Sequence, residues 1–396
     1  MKVCFETFGC RLNKAEALQM EADYLAAGWE LTDSHSDADL FVVRGCSVTA
    51  RAQRDCEKTV AHLKRRYPNV PVRVCGCLKA RNEASSRLLA RSLFSPDPSP
   101  TAVPVRTARA YLKVQDGCSG KCTFCIVPQF RGESVSTPFT EAVDRAKRFI
   151  DAGYREIVVT GCNLSLYASE GRRLPELVSA LASLTPSTHA GRTRIRLGSV
   201  EPGQCALECV AAMAESANVC RFLHVAVQSG ANRILRAMRR PYMARDVDVL
   251  VQAARKLMPD MGLGCDLMTG FPDELDLDFA ATKGLMTRNA FSRVHVFQYS
   301  ERPGTSAASY GGAVPGGVRS ARAHELADAA AELRYAFARR FYGKTVEVVS
   351  EEDGACSGRT SEYLHCRASG QAPRKSLVNV FVTKVHHDGS LEGIVR

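Results

Sequence analysis

The sequence lacks the apolar segments of a membrane or secreted protein. No apolar run approaches the ~20 residues of a membrane span, and the N-terminal Met-Lys-Val-Cys-Phe-Glu-Thr has no apolar signal region. These absences predict a cytoplasmic protein. At 396 residues the chain is too long for one small domain, and we expect two or three.

Disulfide bonds are not expected either, although cysteine is abundant. In a reducing compartment the 16 cysteines are poor candidates for a disulfide framework, and clustered cysteines are better explained as metal ligands. Scattered cysteines are more typical of small core or surface residues. We place in that group Cys4, Cys56, Cys205, Cys209, Cys220, Cys356 and Cys366.

The charge of the chain is strongly positive. A formal net charge of +11 favours a polyanionic partner, because Lys and Arg side chains neutralise phosphates. Many soluble proteins are equally basic without binding nucleic acid, so the charge alone leaves RNA binding open.

Three cysteines lie close together in one loop, Asp116-Gly-Cys-Ser-Gly-Lys-Cys-Thr-Phe-Cys-Ile-Val-Pro128. Cys118, Cys122 and Cys125 form a C-x3-C-x2-C array, and no other Cys or His lies within a dozen residues of it. A 4Fe-4S cluster ordinarily takes four thiolates, so three leave one iron open to a further ligand. A zinc site, which needs four closed ligands, and three unconnected thiols are the alternatives.

Three more cysteines follow predicted strands in residues 1 to about 95. The strands are predicted at 2–9, 39–45 and 70–76, and each ends in Gly-Cys, at Cys10, Cys46 and Cys77. Parallel strands bring their carboxyl ends to one sheet edge, so these distant cysteines can meet there. A turn followed by a buried thiol is the alternative, and Cys75 competes with Cys77 for the third place.

A helix is predicted between the first two of these strands. Asn13 is its expected N-cap, and Glu16 stands three residues later as in a capping box. Gly28 is placed to end the helix in the left-handed conformation.

The middle of the chain predicts a second α/β unit. A proline-rich stretch at 95–104 is predicted to be an extended linker. Strands are then predicted at 110–115, 156–160, 194–197, 222–228, 264–269 and 293–299, with helices between them. This alternation predicts a partial (β/α) barrel, in which active residues lie at the carboxyl ends of strands. The three-cysteine loop follows the first of these strands.

From about residue 343 the chain is β-rich. Strands are predicted at 344–350, 363–366, 377–385 and 391–395, which suggests a small β-barrel of the kind that binds RNA. The predicted fold is therefore α/β: an N-terminal parallel α/β domain, a central partial (β/α)6 barrel and a small C-terminal β-barrel.

The loop around Cys118 resembles the signature of radical S-adenosylmethionine (SAM) enzymes, with Phe124 before its third cysteine. Nearly the whole chain is similar to the methylthiotransferases of that superfamily. The similarity lies in stretches such as Gly9-Cys-Arg-Leu-Asn-Lys-Ala-Glu16, Ile195-Arg-Leu-Gly-Ser-Val-Glu-Pro202, Gln228-Ser-Gly230, Met238-Arg-Arg-Pro-Tyr242 and Tyr299-Ser-Glu-Arg-Pro-Gly-Thr305. Within the family, Gly-Cys-Arg-Leu-Asn resembles the branch acting on N6-threonylcarbamoyladenosine in tRNA.

The resemblance implies a domain division and a pair of clusters. The domains would be a methylthiotransferase N-terminal domain at 1–95, a linker at 96–106, a radical SAM domain at 107–340 and a TRAM RNA-binding domain at 343–396. Two 4Fe-4S clusters and SAM are the implied cofactors. Cys118, Cys122 and Cys125 would hold the SAM-cleaving cluster. Cys10, Cys46 and Cys77 would hold an auxiliary cluster that carries the sulfur to be transferred.

The reaction that the resemblance implies adds a methylthio group to C2 of N6-threonylcarbamoyladenosine at position 37, next to the anticodon, with two SAM molecules. The implied partners are tRNA and an electron donor such as flavodoxin or ferredoxin, and the sulfur donor is unknown. Deletion from Gly343 onward is expected to weaken tRNA binding and to leave SAM cleavage largely intact.

Contacts to SAM are implied at the strand ends. They are expected from Phe124, Gly161, Asn163, Ser199, Glu201, Gln228, Ser229 and Gly270, with turn chemistry as the alternative for each. Three residues depart from the family pattern. These are Glu133, in a loop where relatives are often basic, Asp273, and Cys162 near the expected SAM pocket.

Three classes of function are compatible with the sequence. The first is a tRNA methylthiotransferase, for threonylcarbamoyladenosine or for isopentenyladenosine; the second modifies a ribosomal protein side chain; the third is a non-catalytic iron–sulfur protein that binds RNA or carries electrons. Electron carriers normally close their clusters with four cysteines, so two open three-cysteine sites argue against the third class.

Overall fold

The computed structural model describes residues 1–77, 107–185 and 191–396. Along the chain it has a parallel sheet with helices, a partial strand–helix barrel and a closed β-barrel, which confirms the predicted fold class. The predicted linker at 96–106 lies outside the described residues. Within the described part of the chain, no helix has the length and apolar character needed to cross a membrane.

The N-terminal sheet is parallel, with the order β2-β1-β3-β4. Its elements are β1 (Lys2–Thr7), α1 (Arg11–Ala26), β2 (Glu30–Leu31), β3 (Leu40–Gly45), α2 (Ala50–Arg66) and β4 (Val72–Gly76). Phe41 and Val43 of β3 pack against Leu63 of α2 in a small core. Because β1, β3 and β4 are parallel neighbours, their carboxyl ends lie along one edge of the sheet.

The start of α1 differs from the prediction. The helix begins at Arg11 with Cys10 in the N-cap position, so Asn13 lies within the first turn. The buried Asn13 Nδ2 donates to the carbonyls of Phe8 (2.8 Å) and Gly45 (3.0 Å), and thereby ties together the chain ends that follow β1 and β3. The predicted capping box is therefore wrong. Gly28 has a φ of +81°, as expected for a helix end.

The central barrel has six strand positions, and neighbouring strands run parallel to one another. Its two sheets are β5-β8-β11 and β12-β13-β14-β15, and β11 and β12 are two parts of the same strand position. The strands are β5 (Ala110–Lys113), β6 (Gln115–Asp116), β7 (Val135–Ser136), β8 (Glu156–Thr160), β9 (Ala168–Ser169), β10 (Arg172–Arg173), β11 (Arg194–Arg196), β12 (Ser199–Val200), β13 (Phe222–Gln228), β14 (Gly262–Thr269) and β15 (Arg293–Gln298). The helices are α3 (Val127–Arg131), α4 (Phe139–Asp151), α5 (Leu174–Ala182), α6 (Gln204–Ala214), α7 (Asn232–Ala237), α8 (Ala244–Leu257), α9 (Asp276–Arg288) and α10 (Gly316–Arg339).

Alternation along the strands separates the core from the lumen of this barrel. Leu223 and Val225 of β13 and Val294 of β15 pack in the core beneath the helices. Successive strand residues point to opposite faces, so His224 and Arg293 face the lumen. The lumen is therefore lined by polar and charged side chains.

The C-terminal barrel is closed by five strands in the order β16-β17-β18-β20-β19. They are β16 (Thr345–Ser350), β17 (Gly354–Thr360), β18 (His365–Ala372), β19 (Leu377–Val385) and β20 (Leu391–Val395). Cys356 and Cys366 are buried in its core, as predicted. β17 was not predicted, because its small and polar residues have little strand propensity.

The C-terminal barrel covers the N-terminal end of the central barrel. Arg194 and Arg196 of β11 donate to the main-chain carbonyls of residues 359–361 at 2.7 to 3.1 Å. Both guanidinium groups also pair with Glu156 of β8, and all three side chains are fully buried. Buried charges are stable only when every partner is in place, so the two barrels depend on each other for this contact.

Candidate active site

Cys118, Cys122 and Cys125 lie on the loop between β6 and α3. The loop is tight: the Cys125 N–H donates to the Cys122 carbonyl at 3.2 Å. A Cβ atom on Gly120 would lie 3.2 Å from the Cys118 sulfur and 3.8 Å from the Cys122 sulfur. The two sulfurs therefore lie close to Gly120, where a side chain would crowd the Cys118 sulfur. This donor set fits a cluster held by three thiolates.

A buried guanidinium stabilises the middle thiol of this loop. Arg240 Nη1 donates to the sulfur of Cys122 at 2.9 Å, and Arg240 Nη2 donates to Glu201 at 2.7 Å. The Arg240 Nε–H donates to the Tyr242 hydroxyl at 2.8 Å. Burial raises the pKa of the Cys122 thiol, and the positive charge and hydrogen bond of Arg240 partly offset that rise.

Cys10, Cys46 and Cys77 follow β1, β3 and β4 at the same edge of the N-terminal sheet. Gly9 has a φ of +94°, and a Cβ atom on it would lie 2.8 Å from the Cys46 sulfur. Burial raises the pKa of Cys46 to about 11, and the neighbouring Cys10 and Cys77 add to the rise. The Cys77 N–H donates to the Gly45 carbonyl at 3.1 Å, which holds the ends of β3 and β4 together.

Three further cysteines lie in this domain, namely Cys4 in β1, Cys56 and Cys75. Cys56, on α2, is fully buried and its sulfur accepts from the Cys46 N–H at 3.3 Å. The Cys75 sulfur lies 3.7 Å from the Val43 carbonyl and 3.8 Å from Arg44 Nη1, within β4 rather than beyond its end. Cys56 is therefore a direct neighbour of Cys46, although the sequence had indicated only Cys75 as a competing cysteine.

A buried ion network joins the two cysteine sets. Glu16 of α1 accepts from Arg131 Nη1 at 2.9 Å and from Lys113 Nζ at 2.5 Å. Arg131, which follows the cysteine loop, also contacts Asp116 at 2.9 Å and Asn13 at 2.9 Å. Burial opposes ionisation of Glu16, but Lys113 and Arg131 outweigh it and hold the pKa of this carboxyl well below its usual range. The network fixes α1, which begins after Cys10, against the loop of Cys118.

Two of the predicted SAM contacts, Gly161 and Asn163, lie next to the cysteine loop. A Cβ atom on Gly161 would approach Gln115 Oε1 to 2.9 Å, and the Asn163 N–H donates to the same oxygen at 2.8 Å. Asn163 Nδ2 lies 4.0 Å from the Cys118 sulfur. Between them, Cys162 lies 3.5 Å from Asp116 Oδ1, and burial raises the pKa of its thiol.

Glu201, Ser199 and Gln228 line the same end of the barrel. Glu201 is paired with Arg240, and Ser199 is exposed two residues earlier on β12. Gln228 ends β13 with a φ of +65°, and its buried Oε1 has no hydrogen-bond partner among the described residues. A buried acceptor without a partner is costly, so this atom fits a ligand that donates a hydrogen bond.

The other three predicted contacts have mainly structural partners. The Ser229 hydroxyl shares a hydrogen bond with Thr282 and accepts from the Ala231 N–H, both at 3.1 Å. Gly270 has a φ of +71°, and the Arg319 side chain occupies the space that a Cβ would need. Phe124 packs against the apolar cluster that contains Phe271.

Tyr363 lies where the three parts of the chain meet. Its ring stacks on Phe222 with centroids 4.8 Å apart, and its hydroxyl accepts from Arg11 Nη2 at 3.1 Å. Burial opposes ionisation, but the charges of Arg11, Arg109, Arg196 and Arg293 outweigh it and lower the pKa of Tyr363 to about 7.

Sequence reasoning missed the roles of Arg240, Glu16 and Tyr363. Arg240 stands in the stretch Met238-Arg-Arg-Pro-Tyr242 and Glu16 in Gly9-Cys-Arg-Leu-Asn-Lys-Ala-Glu16, both of which carried the family resemblance. Those stretches were the available signal, but neither indicated which distant group each side chain contacts.

The site and barrel define a radical SAM protein, and comparisons with known proteins agree. Residues 112–286 match the sequence profile of the Radical SAM superfamily, and residues 2–93 match a profile described as uncharacterized protein family UPF0004. The chain is 30% identical to the threonylcarbamoyladenosine tRNA methylthiotransferase MtaB of Chlamydia pneumoniae, over 98% of this chain and 96% of that protein. It therefore belongs to the radical SAM methylthiotransferase family, whose members use SAM and a 4Fe-4S cluster.

Relatives from two substrate classes are about equally similar. MtaB of Thermotoga maritima is 29% identical over 91% of this chain and 90% of that protein. The tRNA-2-methylthio-N(6)-dimethylallyladenosine synthase of Salinispora arenicola is 32% identical over 98% of this chain and 83% of that protein. Identity alone therefore does not separate the two classes.

Solved structures support the fold. The radical SAM methyltransferase TsrM of Kitasatospora setae, with cobalamin and a 4Fe-4S cluster bound, has a TM-score of 0.56 and 13% identity. The match covers 78% of this chain and 76% of that chain.

Proposed function

We propose that this chain is a tRNA methylthiotransferase that adds a methylthio group to C2 of N6-threonylcarbamoyladenosine at position 37. The observation that carries the proposal is the pairing of two three-thiol sets, at Cys10 and at Cys118, joined by the Glu16–Arg131 contact. One open cluster suffices for radical formation, whereas a second open set offers a place to carry sulfur.

Each set has a defined task in this proposal. Cys118, Cys122 and Cys125 hold one 4Fe-4S cluster, and Cys10, Cys46 and Cys77 hold a second. When bound, the clusters and SAM supply the radical and the sulfur. Arg240 donates a hydrogen bond to the Cys122 sulfur, and Glu201 keeps Arg240 in place.

The remaining residues of the site orient SAM and exclude water. Gln228 offers an unpaired acceptor, and Gly161 packs closely against Gln115. Phe124 contributes an apolar wall that continues to Phe271. Asn163 lies between the loop and Gln115, where it can fix a ligand's position. We assign to SAM binding Phe124, Gly161, Asn163, Ser199, Glu201, Gln228, Ser229 and Gly270.

The proposed substrate and partners rest on the net charge of the chain and on its similarity to tRNA methylthiotransferases. A net charge of +11 suits a nucleic acid, and the relatives named above act on tRNA. We assign residues 1–95, 107–340 and 343–396 to the N-terminal, radical SAM and RNA-binding domains. A small electron-transfer protein such as flavodoxin or ferredoxin would deliver the electrons.

Nucleoside mass spectrometry tests the proposal. tRNA from cells that lack the gene is digested and compared with tRNA from cells complemented with the wild type or with Cys122→Ala. We expect 2-methylthio-N6-threonylcarbamoyladenosine only with the wild type. Methylthiolation of the dimethylallyl nucleoside instead would move the chain to the other class of relatives. A methylthiolated ribosomal protein with unchanged tRNA would overturn the proposal.

A further inference from the structure

Several arginines meet around Tyr363 without a carboxylate partner. The guanidinium carbons of Arg11, Arg293 and Arg359 lie 5.3, 5.0 and 5.4 Å from the centre of the ring. Among the described residues none of the three forms an ion pair, and the buried Nε of Arg293 has no hydrogen-bond partner. Arg196, 4.8 Å from the same ring, is in contrast fully paired with Glu156.

Two of these arginines belong to the lumen of the central barrel. Arg293 begins β15, and alternation turns it inward together with His295, two residues later. Arg11 enters from α1, next to Cys10, and its charge acts on the buried His224 of β13. Arg359 belongs to β17 of the C-terminal barrel.

No acidic group among the described residues forms an ion pair with these three arginines, and the half-buried Glu362 beside Tyr363 faces Arg194 and Arg196 instead. Asp266 is already engaged by His224 Nε2 at 3.0 Å and by His295 Nδ1 at 3.2 Å. Tyr363 is a single phenol that faces Arg11, Arg196, Arg293 and Arg359 at once. The half-buried Arg11, Arg293 and Arg359 give the lumen an excess of positive charge beside the Tyr363 ring, which attracts an anion.

The arginine side chains restrict the kinds of anion that can bind here. A guanidinium presents paired N–H donors whose spacing matches the two oxygens of a carboxylate or phosphate. The two classes of relatives differ in this respect: a threonylcarbamoyl arm ends in a carboxylate, whereas a dimethylallyl arm is a hydrocarbon. Arg11 is the residue after Cys10, so an arm on a base placed near this cysteine set can reach its side chain.

We propose that Arg11 and Arg293 form a carboxylate-binding pair in the lumen that recognises the threonyl carboxylate on N6 of the substrate adenosine. This inference rests on the proposed function. It makes Arg11 and Arg293 the residues that distinguish the threonylcarbamoyl substrate from the dimethylallyl substrate. Tyr363 is a positioning residue that orients Arg11 through its hydroxyl.

Binding to short RNA hairpins tests the pair without requiring catalysis. The holoenzyme is titrated into four anticodon stem–loops, and binding is followed by fluorescence anisotropy. The hairpins differ only at position 37, which is N6-threonylcarbamoyladenosine, the same nucleoside with its threonine carboxylate converted to an amide, dimethylallyladenosine or adenosine. We expect the wild type to bind the carboxylate form about tenfold more tightly than the amide form. Arg11→Gln and Arg293→Gln should each lose most of that ratio, and Arg11→Lys should keep part of it.

The ratio of the affinities for the carboxylate and amide hairpins does not depend on how much of a variant is misfolded, because inactive protein lowers the binding of all hairpins alike. The matched control is Arg172→Gln, which also removes a guanidinium from an aromatic ring, 4.2 Å from Phe139 and away from the lumen. Its ratio should equal that of the wild type. An unchanged ratio in Arg11→Gln and Arg293→Gln, a lost ratio in Arg172→Gln, or a wild-type preference for the dimethylallyl hairpin would each overturn the pair.

Failure of the proposed function gives a different result. In that case cells show no methylthiolated tRNA, whatever the hairpin ratios are. If the ratios hold and tRNA is not modified, the pair stands as an anion site and the reaction assignment fails.

Discussion

Arg131 Nη1 donates to Glu16 Oε1 at 2.9 Å although 115 residues separate the two along the chain. Arg131 follows the loop of Cys118, and Glu16 lies on the helix that begins after Cys10. Both side chains are at least nine-tenths buried. One ion pair therefore sets the position of one cysteine set relative to the other.

Replacing Glu16 by Gln should destabilise the protein by about 3–5 kcal/mol, because Arg131, Lys113 and Arg44 would lose their shared carboxylate in a buried site. Urea unfolding of the variant and the wild type measures the loss. Asp144→Asn is the control, since the Asp144–Lys147 pair is more than half exposed and should contribute less than about 1 kcal/mol. Equal stability of Glu16→Gln and wild type would refute a structural role for the network.

The two cysteine sets should behave as separate clusters. The anaerobically reconstituted wild type should hold about eight irons per chain, and Ala at Cys10, Cys46 and Cys77 should leave about four. That variant should still cleave SAM when reduced but should not methylthiolate tRNA. Ala at Cys118, Cys122 and Cys125 should abolish 5′-deoxyadenosine formation.

Cys75→Ala and Cys56→Ala are the matched controls for the auxiliary set. Both should keep the full iron content, because the Cys75 sulfur contacts the Val43 carbonyl and Cys56 lies on α2. If Cys56→Ala or Cys75→Ala loses half of the iron while Cys77→Ala keeps it, the third ligand is misassigned.

Arg240→Gln should lower the reduction potential of the cluster at Cys122. Reduction adds negative charge, which the N–H donor and positive charge of Arg240 stabilise. Loss of a charged hydrogen bond worth about 1.5 kcal/mol corresponds to roughly 60 mV for one electron. Potentiometric titration followed by EPR measures the shift. Arg236→Gln, at an exposed arginine four residues earlier, should leave the potential unchanged; an equal shift in both variants would exclude a specific contact.

Tyr363 should make stability depend on pH above neutrality. Its pKa is about 7 in the folded protein and 10.0 for an ordinary tyrosine, so the ionised phenol favours folding. The contribution is complete above the ordinary pKa and is lost as the pH falls through about 7. The stability difference between wild type and Tyr363→Phe, from urea unfolding, should therefore grow as the pH rises from neutral to mildly alkaline. Tyr342→Phe, at a residue 66% exposed, should show no such growth.

Local patterns predicted many of the strands well. The predicted strands at 156–160 and 222–228 match β8 and β13, since runs of apolar residues bounded by Gly or polar residues identify buried parallel strands. The three Gly-Cys pairs follow neighbouring strands, as the parallel arrangement required. β17 escaped prediction because Gly354–Thr360 holds small residues that pack only inside the finished barrel.

Contacts between distant elements could not be predicted in the same way. Asn13 and Glu16 fit a helix start locally, yet both are used by partners more than 30 residues away. The sequence also suggested that the segment from Gly343 is separable. Arg194 and Arg196 show that removing it would leave buried charges without the carbonyls of residues 359–361, so SAM cleavage is expected to suffer as well.

The hydrogen bond from the buried Arg196 side chain to the carbonyl of Ser361, 165 residues later, also bears on synthesis at the ribosome. At ordinary translation speeds roughly ten to thirty seconds separate the emergence of the two residues. During that interval Arg194 and Arg196 can pair with Glu156, but the main-chain carbonyls of residues 359–361 do not yet exist. We expect the N-terminal end of the central barrel to stay uncovered until the last strands emerge. A transcript cut short near its end would therefore yield an incompletely folded central barrel rather than an active enzyme that lacks only its RNA-binding domain.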